Sequence, residues 1–142
     1  MTLRFLPFLV LWTSTISAFA EDAIAGKWYS AAQLELGKKV FAANCATCHG
    51  AEGQGLALDW KKPQADGAYP PPPLNGTAHT WHHPVSTLIR TIDEGGVPLG
   101  GKMPAFGDKL SDEEKTALIA RINDWWPEEV YKGWIERGGL DK

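Results

Sequence analysis

Residues 44–50 read Asn-Cys-Ala-Thr-Cys-His-Gly, and they hold both cysteines of the 142-residue chain and one of its four histidines. Three chemistries use a Cys-x-x-Cys pair: a redox-active dithiol, half of a zinc site, and covalent attachment of haem. A redox dithiol needs no histidine behind it and normally opens a helix after a strand, whereas the residues before Cys45 read as helix. A structural zinc site wants four ligands, usually with a second Cys or His pair at comparable spacing, and there is no third cysteine. Haem attachment needs two thiols that add to neighbouring vinyl groups on one porphyrin edge, and an imidazole that can reach the iron. On a helical turn Cys45 and Cys48 share one side, at i and i+3, and His49 stands at i+4 from Cys45. The pattern points to one covalently bound haem c held by Cys45, Cys48 and His49, with an isolated zinc-binding or dithiol pair as the alternatives.

Such thioethers are made outside the cytoplasmic membrane of bacteria or in an organelle, so an export signal is expected. Arg4 is the only charge before Glu21, an apolar stretch runs from Phe5 to Ile16, and Ala18-Phe19-Ala20 fits a small-x-small cleavage site. Residues 1–20 therefore read as a cleaved signal peptide and residues 21–142 as one domain in the periplasm. The alternative is an uncleaved anchor, but Phe5 to Ala20 is shorter than the roughly 20 apolar residues of a spanning helix and contains Pro7. Cleavage leaves 122 residues with both cysteines committed to the porphyrin. No disulfide is then possible, and haem must supply much of the core. Without Arg4, 13 basic residues face 17 acidic ones, a net charge of −4 that argues against nucleic-acid binding.

Ser30 is a good N-cap for the run at residues 31–44, whose Leu34, Leu36, Val40 and Phe41 form an apolar stripe. Gly37 in mid-helix costs roughly 1 kcal/mol against Ala, which a close helix crossing would justify. Ser111 and Glu114 form a capping box for a second helix, with Leu118, Ile119, Ile122, Trp125 and Trp126 as its apolar face and Pro127 as its stop. A shorter helix is expected from about Pro84 to Glu94, ending at Gly95-Gly96. Residues 128–139 read as a terminal amphipathic helix with Val130, Tyr131, Trp134 and Ile135 inward. No stretch alternates like a strand.

With three helices around a Cys-x-x-Cys-His, most of residues 21–142 resembles the class I, single-haem cytochromes c of the bacterial export type. The resemblance implies an all-α cytochrome c fold, three main helices plus a short C-terminal helix around one haem. In that family a glycine and an aromatic on the N-terminal helix meet the C-terminal helix, and Gly37 and Phe41 match. The chain departs at Arg121, where an aromatic is often found, so Ile122, Trp125 or Trp126 is expected to fill the crossing.

Met103, the only methionine after the signal, lies in Gly-Gly-Lys-Met-Pro-Ala-Phe and resembles the family's distal Met-Pro segment. It is the expected second axial ligand beside His49, with a gap-filling core methionine as the alternative. The other ring nitrogen of His49 needs an acceptor. The family uses a proline carbonyl in a Pro-x-Leu-x-Gly segment, which Pro72 to Gly76 resembles, so Pro72 is the expected acceptor and Leu74 a porphyrin contact. His79, His82 and His83, in His-Thr-Trp-His-His-Pro, could cap a helix, contact the haem propionates together with Trp81, bind copper, or offer a rival axial ligand.

The function implied is a monomeric electron carrier rather than an enzyme, exchanging electrons with membrane or periplasmic oxidoreductases. Lys27, Lys38, Lys39, Lys61, Lys62, Lys102 and Lys109 are candidates for a basic rim around the haem edge. The competing readings are a peroxide-activating haem protein, a haem- or copper-binding accessory protein, and a subunit of a larger oxidoreductase that docks through Trp125, Trp126 and Trp134.

Overall fold

The computed structural model describes residues 23–141, so the expected signal peptide and its cleavage site lie outside the described residues. Five α-helices follow in order: α1 (Ala31–Asn44), α2 (Ala46–His49), α3 (Val85–Glu94), α4 (Asp112–Asp124) and α5 (Glu128–Glu136). Short 3-10 turns occupy Thr80–His82 and Val97–Leu99. Among the described residues there is no β-strand, only a single bridge between Ala23 and Ser30. The fold is all-α, as in the cytochromes c, and no described helix is long and apolar enough to cross a membrane.

Both long helices begin on a closed capping box. At α1 the Ser30 hydroxyl accepts from Gln33 N–H at 3.2 Å, and Gln33 Oε1 accepts from Ser30 N–H at 2.9 Å. At α4 Ser111 and Glu114 exchange the same two bonds at 3.2 and 2.9 Å, and three acidic residues fill the first turn. Buried Lys115 of α4 ties this turn to α3, with its ammonium 2.9 Å from both Asp93 and Asp112.

α1 and α4 cross at Gly37. A Cβ on Gly37 would collide with the Ala117 carbonyl oxygen and lie 2.8 Å from its carbon, so the helices meet backbone to backbone. The aromatic expected beside this crossing is Trp125, whose ring meets Phe41 edge-on at 4.8 Å between centroids. Arg121 lays its guanidinium 3.8 Å over the same Trp125 ring, and Trp125 Nε1 donates to Glu52 at 3.1 Å.

The tail packs inward. Trp126, Tyr131 and Trp134 are buried with Tyr29, Leu34 and Ile122. Trp126 and Trp134 meet edge-on at 5.4 Å, and each satisfies its indole N–H on a distant carbonyl, Leu74 for Trp126 and His83 for Trp134, both at 2.8 Å. Trp126 and Trp134 are thus inward as their helical spacing predicts, and the competing reading of an exposed docking face formed by Trp125, Trp126 and Trp134 is overturned for these two. α5 also stops at Glu136, three residues short of the expected end, and the chain turns so that the Gly139 carbonyl accepts from Val85 N–H at 2.8 Å.

Candidate haem site

Cys45 ends α1 and starts α2, and the single turn of α2 carries Ala46 to His49. His49 N–H donates to the Cys45 carbonyl at 2.9 Å, which sets the imidazole just beyond the two sulfurs. Gly50, at φ +81°, then reverses the chain, and Gly55 N–H returns to the His49 carbonyl at 2.7 Å. The Gly53 carbonyl accepts from Leu74 N–H at 2.6 Å, which brings the proline run alongside. The Pro72 carbonyl there lies 2.9 Å from His49 Nδ1. That acceptor selects the tautomer with hydrogen on Nδ1 and leaves Nε2 for a metal. Burial holds His49 below the ordinary imidazole range, with the Pro72 carbonyl only partly opposing it. As a free thiol Cys45 is pushed up to about 11 by burial and then by Cys48, the opposite of the lowered pKa a redox dithiol needs.

Met103 follows the turn after α3. Gly96 N–H donates to the Met103 carbonyl at 2.9 Å, and Gly101 N–H returns to the Gly96 carbonyl at 2.9 Å. Gly95 sits at φ +81° so close that a Cβ would lie 2.6 Å from the Met103 oxygen. Phe106 N–H donates to the Ile92 carbonyl at 2.9 Å and anchors the segment after Pro104 to the end of α3. The Asp66–Lys102 ion pair and a 2.9 Å bond from Tyr69 N–H to the Gly100 carbonyl hold the loop from outside.

These segments enclose one cavity of about 740 Å³, within the range of cofactor sites. Cys45, Cys48, His49, Pro72, Leu74 and Met103 all line it, together with Phe41, Leu88, Ile92, Phe106, Leu118 and Ile122. Sequence reasoning missed Trp60, Arg90 and Phe106 as lining residues. Trp60 and Arg90 carry no periodic signal, and Phe106 was legible only as the residue after Pro104-Ala105. Trp81 is not in the lining. It meets His82 edge-on at 4.0 Å and lies under the Arg137 guanidinium at 5.1 Å, beside a separate pocket formed with the tail. The three histidines of that segment diverge: His79 and His83 reach the cavity, whereas His82 faces the tail pocket, and among the described residues no group of three His, Cys, Asp or Glu side chains could hold a metal ion. Of the candidate rim lysines, Lys61 and Lys102 line the cavity; Lys102 pairs with Asp66, Lys38 with Glu35, Lys62 with Asp59 and Lys27 with Glu128.

The lining fits haem. It is largely apolar, and it offers two thiols and an imidazole oriented by the Pro72 carbonyl. Comparison with known proteins agrees. The family described as "Cytochrome C oxidase, cbb3-type, subunit III" matches residues 32–121. The "Cbb3-type cytochrome c oxidase subunit FixP" of Azorhizobium caulinodans is 37% identical over 87 residues, covering 61% of this chain and 25% of that protein. The "Cbb3-type cytochrome c oxidase subunit CcoP" of Azospirillum brasilense is 35% identical over 95 residues, 66% of this chain and 29% of its own. The "Cytochrome c6" of a Picosynechococcus species is 32% identical over 111 residues, 78% of this chain and 84% of its own. The chain spans only a quarter to a third of the FixP and CcoP relatives. No solved structure matches significantly. The chain belongs to the c-type cytochromes, in the family that describes the cbb3-type subunit III.

Proposed function

We propose that this protein is a periplasmic one-electron carrier, with a single haem c joined through Cys45 and Cys48 and ligated by His49 and Met103. Bound there, the haem supplies an iron that cycles between ferric and ferrous states. His49 binds through Nε2, kept in one orientation by the Pro72 carbonyl. Met103 would offer the iron a soft thioether, which would favour the ferrous state and keep small molecules from binding there. Leu74, Phe41, Leu118 and Ile122 exclude water, which lowers the reorganisation accompanying the charge change. The observation that carries this reading is the arrival of the Cys-x-x-Cys-His turn and the one methionine of the described residues at the same apolar cavity. Lys61 at the cavity wall supports docking of an acidic partner surface. A second reading has the domain relay electrons as part of a cbb3-type oxidase, favoured by the FixP and CcoP relatives. Co-purification with a membrane oxidase at high salt separates the two, since a freely diffusing carrier is released.

The test of ligation is Met103→Ala. The wild-type ferrous protein resists carbon monoxide, and its ferric form shows the weak near-red band of thioether ligation. The variant binds carbon monoxide readily, loses the band and has a lower potential, because the stabilisation of ferrous iron is gone. A wild type that lacks the band and binds carbon monoxide at neutral pH sinks the carrier reading in favour of peroxide activation.

A further inference from the structure

Trp125 and Trp126 follow one another at the end of α4, and the electron-carrier reading uses neither. Both stand outside the cavity lining, yet each grips one of the two segments that meet at His49. Trp125 holds the loop that leaves the Cys-x-x-Cys-His turn. Its indole Nε1 donates to Glu52 at 3.1 Å, and a Cβ on Gly53 would lie 2.9 Å from Trp125 Cζ3, so indole and loop backbone touch. The Arg121 guanidinium covers the Trp125 ring at 3.8 Å and also lies 3.8 Å from the Glu52 carboxylate, which closes the cluster from outside. Trp126 holds the proline segment. Its Nε1 donates to the Leu74 carbonyl at 2.8 Å, and a Cβ on Gly76 would lie 3.3 Å from Trp126 Cδ1 and 3.0 Å from Pro127 Cδ.

The two gripped segments join at one atom. The Gly53 carbonyl oxygen accepts from Leu74 N–H at 2.6 Å and from Asn75 N–H at 3.2 Å. Gly55, on the same loop as Gly53, donates its N–H to the His49 carbonyl at 2.7 Å. Pro72, two residues before Leu74, places its carbonyl 2.9 Å from His49 Nδ1. Imidazole and acceptor thus arrive on separate stretches of chain, and the end of α4 is the one element that touches both. A shift of either stretch lengthens or bends the bond between them, and hydrogen bonds weaken steeply with angle.

We propose that Trp125 and Trp126 are positioning residues for the iron: by holding the loop and the proline segment in register they set the strength of the His49–Pro72 hydrogen bond, and through it the reduction potential. The inference rests on the reading of His49 as an iron ligand. Its sign follows from ligand basicity. Donation from Nδ1–H to a carbonyl makes the imidazole a more basic ligand, and a more basic ligand stabilises ferric over ferrous iron. Loosening either grip weakens the bond and raises the potential. A change from tryptophan to phenylalanine alters no charge, so the direct Coulombic pull on the iron is the same in variant and wild type.

The experiment compares haem-loaded wild type, Trp125→Phe, Trp126→Phe and Ser111→Ala by potentiometric titration and by proton NMR of the His49 Nδ1–H in the diamagnetic ferrous form. Each phenylalanine keeps a ring and deletes one indole N–H. Ser111→Ala removes the cap at the opposite end of α4 and reports what loss of stability alone does. Both phenylalanine variants are expected to have a higher potential and an upfield-shifted Nδ1–H, whereas Ser111→Ala melts lower with both readings at their wild-type values. Wild-type readings in either phenylalanine variant, whatever its melting temperature, overturn the proposal, as does an equal change in Ser111→Ala. Absence of the near-red band from the wild type strikes Met103 ligation alone, because the ferrous carbon monoxide adduct is also diamagnetic and gives the same His49 comparison.

Discussion

At the scale of single residues, Gly37 shows how a locally unfavourable choice stabilises a tertiary contact. Glycine in a helix interior costs roughly 0.5–1 kcal/mol against alanine. Placing a methyl against the Ala117 carbonyl forces α1 and α4 apart, an overpacking cost of about 1–3 kcal/mol that no rotamer change relieves. Gly37→Ala is thus expected to lose about 1–2 kcal/mol net in denaturant melts, despite its better helix propensity. A stabilised variant would show that the crossing is looser than this contact implies. Arg121 makes the complementary point. It stands where the family resemblance leads to an expected aromatic, and its guanidinium instead stacks on Trp125, which meets Phe41 edge-on.

At the scale of elements, α5 acts as a brace for the loops that line the cavity. Trp134 fills the space between Trp126 and Tyr131 and donates to the His83 carbonyl, while Trp126 donates to Leu74 on the other side. Trp134→Ala removes both the buried ring and the bond, and a loss of about 3–5 kcal/mol is expected in thermal or chemical melts. Trp134→Phe keeps most of the volume but leaves a buried carbonyl unsatisfied, for about 1–3 kcal/mol. Equal effects of the two substitutions would mean that the hydrogen bond, not the packing, joins α5 to the cavity wall. The carbonyl partners satisfy the indole N–H groups of tryptophans that the amphipathic pattern already turns inward.

At the scale of the whole molecule, the two buried clusters flank an apolar cavity of about 740 Å³, and helices α1, α3 and α4 all contribute to its wall. A small domain with this much of its interior given to a cofactor has little left to hold it together without one. Cys45→Ala combined with Cys48→Ala is expected to abolish covalent haem and leave a chain without a cooperative thermal transition by circular dichroism. A sharp transition in the haem-free double variant would show that the helices make a sufficient core alone.

What the sequence determined by itself was local. Ser30 and Ser111 marked helix starts through short-range capping chemistry, Gly95 marked the end of α3, and the Cys-x-x-Cys-His turn declared its cofactor through spacing within one helical turn. These features depend on neighbours within a few residues, so the chain alone specifies them. Only tertiary structure decided that Trp60 stacks on His79, that His82 and Trp81 turn away from the cavity, and that Trp125 rather than Ile122 or Trp126 meets Phe41. Each of those outcomes joins loops or helix ends that share no periodicity, and their positions follow from which surfaces remain once α1, α4 and the haem cavity have been packed.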